Sequence, residues 1–469
     1  MEETRQSNRR KFVQLTGTTL AGAGVSGLAG CTGLGGDSQD GGNSGDEGGT
    51  QTIQVITDHS SPEIQETLRN AFDDWASTVD QDVEAEFLFR GFDEVVQTLQ
   101  RSFETGDIPE VAFLNSEWAW RFGEQGRLAD MSDRLQDQSI PEQYQVEVGD
   151  GSVFWPHDIG VMTMWHRGDV YDAAGIQPAT TWDEQLSNME TLSSHLEGEQ
   201  MDPVLTFANP NVGVTQYNYD AQMMMNGVSY LDPSDDAEEV DVVLDQEPNR
   251  ERAIEVLNYL NRMYQFSPES TSYEWTDMVE VYMSELVSTT YYTGRPLTQA
   301  MRQEPDGLGA NTRPAPYPQA PLTQEGEADY QTVMTVGGFF CPAESGNTEL
   351  AKDFVSHYMT TDWYVESLLS VPLHNVPPDV SVMDKESFQS NDIVSQRPDV
   401  VEYYKEYADD GVLPIERTDP PLPYYFDLTM YTYIIPTMIA EGITGRKEPG
   451  QAVDDAAAEL RNTLPEFQE

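Results

Sequence analysis

The chain has 469 residues, and its 82 acidic against 25 basic side chains give a formal net charge of −57 at pH 7. A charge of this size disfavours nucleic acid and anionic membrane surfaces as partners, because both repel a strongly acidic protein. The 38% of apolar residues and the eight tryptophans argue against an intrinsically disordered acidic chain, the competing interpretation of this composition.

The excess of carboxylates also indicates the conditions in which the chain folds. Repulsion among them destabilises the compact state at physiological salt, where the Debye length is about 8 Å, and it weakens at molar salt, where that length is about 3 Å. Only five of the 25 basic residues are lysines. We therefore predict the protein of a salt-loving organism, of haloarchaeal type.

Residues 8–31 have the pattern of an export signal and not of a folded element. Arg9 and Arg10 precede a weakly apolar run, residues 13–30, that contains too many glycines and threonines to remain as a membrane-spanning helix. This pattern predicts twin-arginine export, the alternative being a basic N-terminus beside a flexible leader. Residues 28–31 resemble a lipobox, which implies that residues 1–30 are cut off and that Cys31 carries the lipid.

The next segment, residues 31–50, is predicted to be a flexible tether. It contains eight glycines and no aromatic residue, so it cannot bury enough apolar surface to fold, and its root-mean-square reach is roughly 25 Å. If Cys31 is lipidated, Cys341 is left without a partner, and we expect no intramolecular disulfide.

From residue 51 the chain alternates between strand and helix patterns, which favours an α/β layer architecture with parallel strands. Strands are predicted over residues 52–57, 83–89 and 109–114. The first helix is expected to begin at Ser61, as the cap, and Pro62. Its buried stripe comprises Ile64, Leu68, Ala71, Phe72 and Trp75. Further helices are predicted over residues 92–103, 250–264, 430–443 apart from Pro436, and 452–464.

Three segments, taken in order, resemble the family 1 extracellular solute-binding proteins, the sugar-binding receptors of ABC importers that include maltodextrin-binding protein. They are residues 91–133, residues 155–192 with their Trp-Pro-His-Asp-Ile-Gly start, and residues 336–378 with their Glu-Leu-Ala-Lys helix. One departure is Trp165-His166, which stands where the family has Tyr-Asn, so the hydrogen bonding of that asparagine is not carried over.

The resemblance implies two α/β lobes that close on a ligand in the cleft between them. We place the crossings at residues 159–161 and 335–337. Lobe one is then residues 51–160 with 336–378, and lobe two is residues 161–335 with 379–469. The resemblance also implies ABC permease subunits as partners. From the export signal, the lipobox and the tether we expect a protein held at the outer face of the membrane, and we further expect a monomer without cofactor or metal.

Candidate ligand-binding residues are acids and aromatic side chains at strand ends, because a sugar offers hydroxyl groups to carboxylates and its C–H face to rings. Asp58 and His59 follow the first predicted strand, and Glu117 and Trp118 follow the third. The remaining candidates lie at the crossings, near a predicted helix start or in presumed loops of lobe two: Phe92, His157, Asp158, Tyr217, Trp275, Tyr291, Tyr292, Arg295, Gly338 and Phe339. A structural role at the hinge remains open for His157 and Asp158. Core packing remains the alternative for the residues from Tyr217 onward.

An exported glycoside hydrolase remains an alternative, because with this many acids the sequence leaves room for a catalytic pair of carboxylates about 5 to 9.5 Å apart. The sequence has no Gly-x-Ser-x-Gly elbow, phosphate loop or His-Glu-x-x-His pair. A structural cell-surface protein would show internal repeats, and none is found.

Overall fold

The structure, a computed structural model, describes residues 50–468 apart from residues 60, 137, 150, 235–238, 409–410, 413–416 and 420. The predictions for the export signal, for Cys31 and for the tether up to residue 49 lie outside the described residues. Within them, no helix is both long enough and apolar enough to span a membrane. Cys341 is a buried free thiol, and its burial raises its pKa to about 12.

Thirteen strands are named here in chain order for the described part: β1 Gln51–Thr57, β2 Val83–Phe89, β3 Val111–Asn115, β4 Glu147–Val148, β5 Gly151–Ser152, β6 Trp155–Val161, β7 Thr163–Arg167, β8 Leu231–Pro233, β9 Val240–Val242, β10 Thr289–Tyr292, β11 Thr312–Ala315, β12 Thr332–Phe340 and β13 Gly411–Val412.

The α-helices of the same residues are α1 Pro62–Ala76, α2 Phe92–Thr105, α3 Ser116–Glu124, α4 Ser132–Leu135, α5 Gly168–Ala174, α6 Trp182–His195, α7 Val214–Met225, α8 Asn249–Tyr264, α9 Trp275–Met283, α10 Arg295–Gln303, α11 Pro321–Gln324, α12 Thr348–Thr360, α13 Asp362–Ser370, α14 Glu386–Gln389, α15 Pro398–Tyr407, α16 Ile434–Thr444 and α17 Pro449–Thr463.

The first sheet has the strand order β13-β12-β3-β1-β2, with β6 also paired to β12. Strand β1 runs parallel to β2 and β3, as the alternating pattern predicts. Strand β12 instead runs antiparallel to both β3 and β6, since the chain returns to this sheet from the opposite end. We call this sheet and the helices packed on it lobe one.

The second sheet has the order β10-β7-β11, and both pairs in it are antiparallel. The expectation of parallel strands is therefore wrong here. Strands β10 and β11 run in the same direction, and β7 lies between them in the opposite one, an arrangement that the local residue pattern does not reveal. We call this sheet and the helices packed on it lobe two.

The predicted crossing segments, residues 159–161 and 335–337, lie side by side. Ile159 is opposite Val336, and Gly160 is opposite Thr335, in the antiparallel pair of β6 and β12. After Val161, one residue leads into β7 of the second sheet. The lobe boundaries themselves stay predictions.

Helix α1 shows why the local predictions succeed. The Ser61 side chain accepts a hydrogen bond from the backbone N–H of Ile64 at 3.3 Å, and Pro62 occupies the first turn. The buried residues of the helix are those of the predicted stripe, Ile64, Leu68, Ala71, Phe72 and Trp75. Each large apolar side chain of the stripe contributes about 1.5–3 kcal/mol on burial, so the stripe fixes how the helix faces the sheet.

Other helices differ from prediction at their ends or in their buried face. Helix α2 continues two residues past residue 103 and stops at Gly106, which the sequence predicts as its end and whose φ of 81° glycine adopts readily. In α8 the helical spacing predicts a buried stripe of Ile254, Leu257, Leu260 and Met263; the last three are buried, whereas Ile254 is only half-buried.

The helix predicted over residues 430–443 is divided in two. A π-helical turn, Asp427–Tyr431, precedes Tyr433, whose φ of 61° is left-handed and breaks the helical path before α16. Pro436 then falls in the first turn of α16, where its missing N–H costs no helical hydrogen bond.

Candidate functional site

The end of strand β3 leads directly into helix α3 and forms the centre of the site. Residues 111–114 are apolar and buried in the sheet, and Asn115 is both the last strand residue and the cap of the helix. Glu117 lies in the first helical turn, where the helix dipole favours an acid. Glu117 and Trp118 are each 5% exposed.

The two oxygens of Glu117 differ in their surroundings. Oε1 accepts hydrogen bonds from Asn115 Nδ2 at 3.2 Å and from Tyr217 OH, on α7 of lobe two, at 3.3 Å. Oε2 is buried and has no hydrogen-bond partner among the described residues. Burial raises the pKa of Glu117 to about 7, and the nearby charge of Asp427 adds a smaller contribution.

Aromatic rings of lobe two continue from Tyr217. Its ring stacks on Phe426 with a centroid distance of 5.9 Å and an angle of 13°, and it also lies 5.9 Å from Trp275. Trp275 in turn lies 6.2 Å from Tyr292 and is 38% exposed. The rings form one aromatic wall, Tyr217, Phe426, Trp275 and Tyr292, beside Glu117.

A second contact between the lobes runs from α3 to the π-helical turn. Arg121 Nη1 lies 2.5 Å from Asp427 Oδ2, and the Arg121 guanidinium is 5.2 Å from the ring centre of Trp118. The Trp118 ring lies 5.7 Å from that of Tyr431. Burial raises the pKa of Asp427 to about 6, against the opposing effect of Arg121. We call the Arg121–Asp427 ion pair the interlobe ion pair.

Three consecutive residues at the end of β3 each carry an unpaired polar atom. Ser116 Oγ, Glu117 Oε2 and Trp118 Nε1 are among the buried side-chain atoms that have no hydrogen-bond partner in the described part of the chain, as is His59 Nδ1 after β1. Leaving a buried polar group unpaired costs about 1–3 kcal/mol, so each such group gains from a partner supplied by water or a ligand. Three consecutive residues with this property indicate a surface built for the polar groups of a ligand.

Asp58 and His59 follow β1 and are half-buried. Burial raises the pKa of Asp58 to about 7, the charge of Asp158 adds to this, and Arg295 opposes it. Burial and the neighbouring His157 lower the pKa of His59 to about 3, which keeps the imidazole neutral. The described residues contain no group of three or more His, Cys, Asp and Glu side chains that could hold a metal ion.

His157 is fully buried in lobe one and lies between an acid and a serine. Its Nδ1 is 2.6 Å from Asp158 Oδ1, and its Nε2 is 2.7 Å from Ser367 Oγ. This arrangement resembles a catalytic triad, but the Ser367 hydroxyl donates to the Tyr364 carbonyl at 2.6 Å. Nε2 must then donate to Ser367, the reverse of a general base, and Ser367 is 0% exposed. We assign His157 to the support of the crossing strand.

Three other predicted residues have packing roles in lobe one, and their part in a ligand site stays a prediction. Phe339 is 1% exposed and packs against Phe113 and Tyr358 in the core of lobe one. A Cβ at Gly338 would collide with the Trp155 carbonyl, so glycine is needed there for the close approach of the strands. Phe92, the first residue of α2, is half-buried against the apolar core.

The lobe-two candidates lie on helices and strands, contrary to the loops expected from sequence. Tyr217 is within α7, Trp275 begins α9, Tyr292 ends β10 and Arg295 begins α10. Tyr291, whose hydroxyl accepts from Gln185, is buried on the same strand in the core of lobe two.

Sequence reasoning missed four residues of the site, Arg121, Phe426, Asp427 and Tyr431. The spacing of two pairs could have indicated some of them. Glu117 and Arg121 are four residues apart, as are Asp427 and Tyr431, and residues at this spacing share a helical face. Nothing local indicates that these two faces meet.

Comparison with known proteins gives a family and a set of similar structures. The model of the bacterial extracellular solute-binding protein family matches residues 60–364, more than half of the chain. No curated protein matches the sequence.

Three solved structures illustrate the likeness of fold. An ABC transporter solute-binding protein from Thermotoga lettingae bound with α-D-tagatose is 18% identical, with a TM-score of 0.67 over 88% of this chain and 99% of that chain. Maltose-bound MalE3 of T. maritima is 16% identical, with a TM-score of 0.71 over 89% and 100%. The GacH receptor of Streptomyces glaucescens, solved unliganded and with acarbose, is 14% identical, with a TM-score of 0.69 over 89% and 99%.

The TM-scores and the coverage show a shared fold, the two-lobe architecture of periplasmic solute-binding proteins. The chain belongs to the family of bacterial extracellular solute-binding proteins.

Proposed function

We propose that this protein is the sugar-binding receptor of an ABC importer, which captures a sugar or oligosaccharide between its lobes and delivers it to the permease. The observation that carries the proposal is the pair Glu117 and Trp118, which is buried at the end of β3: Glu117 bonds Tyr217 of the aromatic wall, and the Trp118 ring lies against Tyr431. A carboxylate accepts sugar hydroxyl groups, and ring faces pack on the C–H face of the sugar.

The unpaired atoms suit the same ligand class. Ser116 and Trp118 offer a hydroxyl and an indole N–H, neutral His59 offers one ring nitrogen, and Glu117 offers a free oxygen. A sugar hydroxyl both donates and accepts, so it can satisfy each of these atoms in turn. The tagatose, maltose and acarbose bound by similar structures support the choice of sugars.

The proposal includes the export route, the lipid anchor, the oligomeric state and the outer cleft residues that were predicted from the sequence alone. The receptor is exported by the twin-arginine route, is anchored by lipid on Cys31 at the outer face of the membrane, and acts as a monomer at high salt. Asp58, Arg295, Trp275 and Tyr292 are proposed to line the wider cleft around Glu117.

We propose binding without catalysis. The acid Asp427 forms an ion pair with Arg121. Ser367, beside His157, is buried, and its hydroxyl proton is donated to the Tyr364 carbonyl. Neither feature favours the alternative of an exported glycoside hydrolase. Incubation with the bound oligosaccharide separates the two functions, because a receptor returns the ligand unchanged and a hydrolase shortens it.

The test begins with a thermal-shift screen of the purified protein in molar salt against mono- and oligosaccharides. A ligand present at 100 times its Kd raises the stability by about 2.7 kcal/mol, a shift that such a screen detects. No response to any sugar would contradict the proposal.

Calorimetric titration of Trp118→Ala then tests the site. We expect about thirtyfold weaker binding, since truncating a buried aromatic contact at a hot spot costs about 2 kcal/mol. The matched control is Trp363→Ala, because Trp363 is half-buried on α13 and bonds Asp74 within lobe one. If folded Trp118→Ala binds as tightly as the control variant, our placement of the site is wrong.

A further inference from the structure

The acids around the site differ in whether a cation faces them. Asp427 has Arg121 at 2.5 Å, and Asp58 lies within the electrostatic influence of Arg295. Glu117 differs from these acids, because none of the ion pairs among the described residues includes it. Its partners, Asn115 and Tyr217, are neutral and both bond the same oxygen.

Burying the Glu117 carboxylate, which is 5% exposed, without a cation beside it among the described residues costs folding free energy. Removing an anion from water costs several kcal/mol, and two neutral donors offset only part of this. Such a group either takes up a proton or receives a positive charge from outside. Its raised pKa, about 7, reflects the same lack of a cationic neighbour.

The rings around Glu117 would receive a cation well. Trp118 is the next residue, Tyr217 bonds the carboxylate, and Phe426 stacks on Tyr217. Aromatic faces attract ammonium and guanidinium groups, by about 0.5–1 kcal/mol at exposed sites and more where water is excluded.

Two of these rings already have cations close to them. The Arg121 guanidinium lies 5.2 Å from the Trp118 ring centre, and that of Arg417 lies 5.7 Å from the Phe426 ring centre. A net charge of −57 adds a general preference for cations over anionic sugars, although molar salt screens that preference beyond about 3 Å. The contact with Glu117 is shorter-ranged and buried, so it is screened much less.

Resting on the proposed function, we propose that the solute carries a protonated amino group that pairs with Glu117 Oε2, so that amino sugars, rather than neutral or acidic sugars, are the ligand class of this receptor. The unbonded oxygen receives the ammonium group, and the hydroxyl groups of the same sugar meet Ser116, Trp118 and His59.

The test compares amino sugars with their uncharged counterparts at one fixed molar salt concentration. The probes are glucosamine, galactosamine and fully deacetylated chitobiose, each paired with its N-acetylated form and with the corresponding neutral sugar. Thermal shift ranks the pairs, and calorimetry measures the responding ones. We expect at least one amino sugar to bind about tenfold tighter than both of its counterparts.

Glu117→Gln keeps the size of the side chain and removes its charge. In this variant the amino preference should disappear, so that each amino sugar and its neutral counterpart bind with equal affinity, whatever that affinity is. Glu66→Gln is the matched control, because Glu66 is exposed on α1 and its replacement changes the net charge by the same amount. The control should retain the preference.

The outcomes separate this inference from the proposed function. If neutral sugars bind and their amino counterparts bind no tighter, the amino-sugar inference is rejected and the sugar receptor stands. If Glu117→Gln retains the amino preference, the pairing with Glu117 is rejected. A panel without any response also rejects the inference, whereas the wider sugar screen judges the receptor function.

Discussion

Glu117 is expected to weaken the unliganded fold at the pH where it binds ligand. Its pKa is raised from 4.5 in the unfolded chain to about 7 in the folded protein, chiefly by burial. Between these values the unfolded chain releases its proton first, so stability falls as the pH rises through this window. Below pH 4.5 the carboxyl is protonated in both states and imposes no cost.

The size of the effect follows from the shift. One pKa unit corresponds to 1.36 kcal/mol, so a rise from 4.5 to about 7 amounts to about 3 kcal/mol at most, reached above pH 7. Glu117→Gln removes the ionisation and retains an oxygen for Asn115 and Tyr217. The variant should therefore be more stable than the wild type at pH 8 by up to about 3 kcal/mol, and equally stable near pH 4.5.

Urea unfolding, followed by tryptophan fluorescence in fixed molar salt, measures this difference at the two pH values. Many other acids titrate over the same range, so the informative quantity is the difference between Glu117→Gln and the control Glu66→Gln at each pH. If Glu117→Gln is no more stable than that control at pH 8, or if its advantage is the same at both values, burial of an unpaired carboxylate is the wrong explanation.

Three other predictions concern the interlobe ion pair, the salt requirement and the anchor. In a double-mutant cycle, Arg121→Ala and Asp427→Ala should each weaken ligand binding and show a coupling energy of about 0.5–3 kcal/mol, because they stabilise the closed lobes together; additive effects would show that the pair is uncoupled. Far-UV circular dichroism should show a folded protein in multimolar salt and lost structure at about 0.1 M, and an unchanged spectrum would contradict the argument from charge. Cys31→Ser should release exported protein into the medium, whereas Arg9→Lys with Arg10→Lys should block export; cell fractionation that finds Cys31→Ser on the membrane, or the double variant at the surface, would refute these two assignments.

Local features were predictable where neighbouring residues cause them. Helix α1 has its cap, its proline and its buried stripe within 15 residues, and the sequence alone located all of them. The same holds for Glu117 and Trp118, because an apolar strand followed by polar residues marks a strand end wherever the sheet is placed. The strand directions of lobe two were not predictable in this way, since they depend on the return path of the chain.

The aromatic residues show the same division. Phe339 and Tyr431 are both aromatic residues in apolar surroundings, yet the first packs in a core and the second faces Trp118. What separates them is the approach of segments distant in sequence, such as Tyr217 to Glu117, 100 residues apart.

The sequence by itself determined the acidic charge, the order of the first three strands and the two helices between them, and the strand end at which the candidate site is placed, because composition and local periodicity are sufficient for these. Only the tertiary structure decided that Arg121 meets Asp427, that His157 is buried against Ser367, and that no ion pair within the described part of the chain includes Glu117. Burial and pairing are properties of contacts between distant segments, and those contacts are set by packing, on which the pattern of any single segment carries little information.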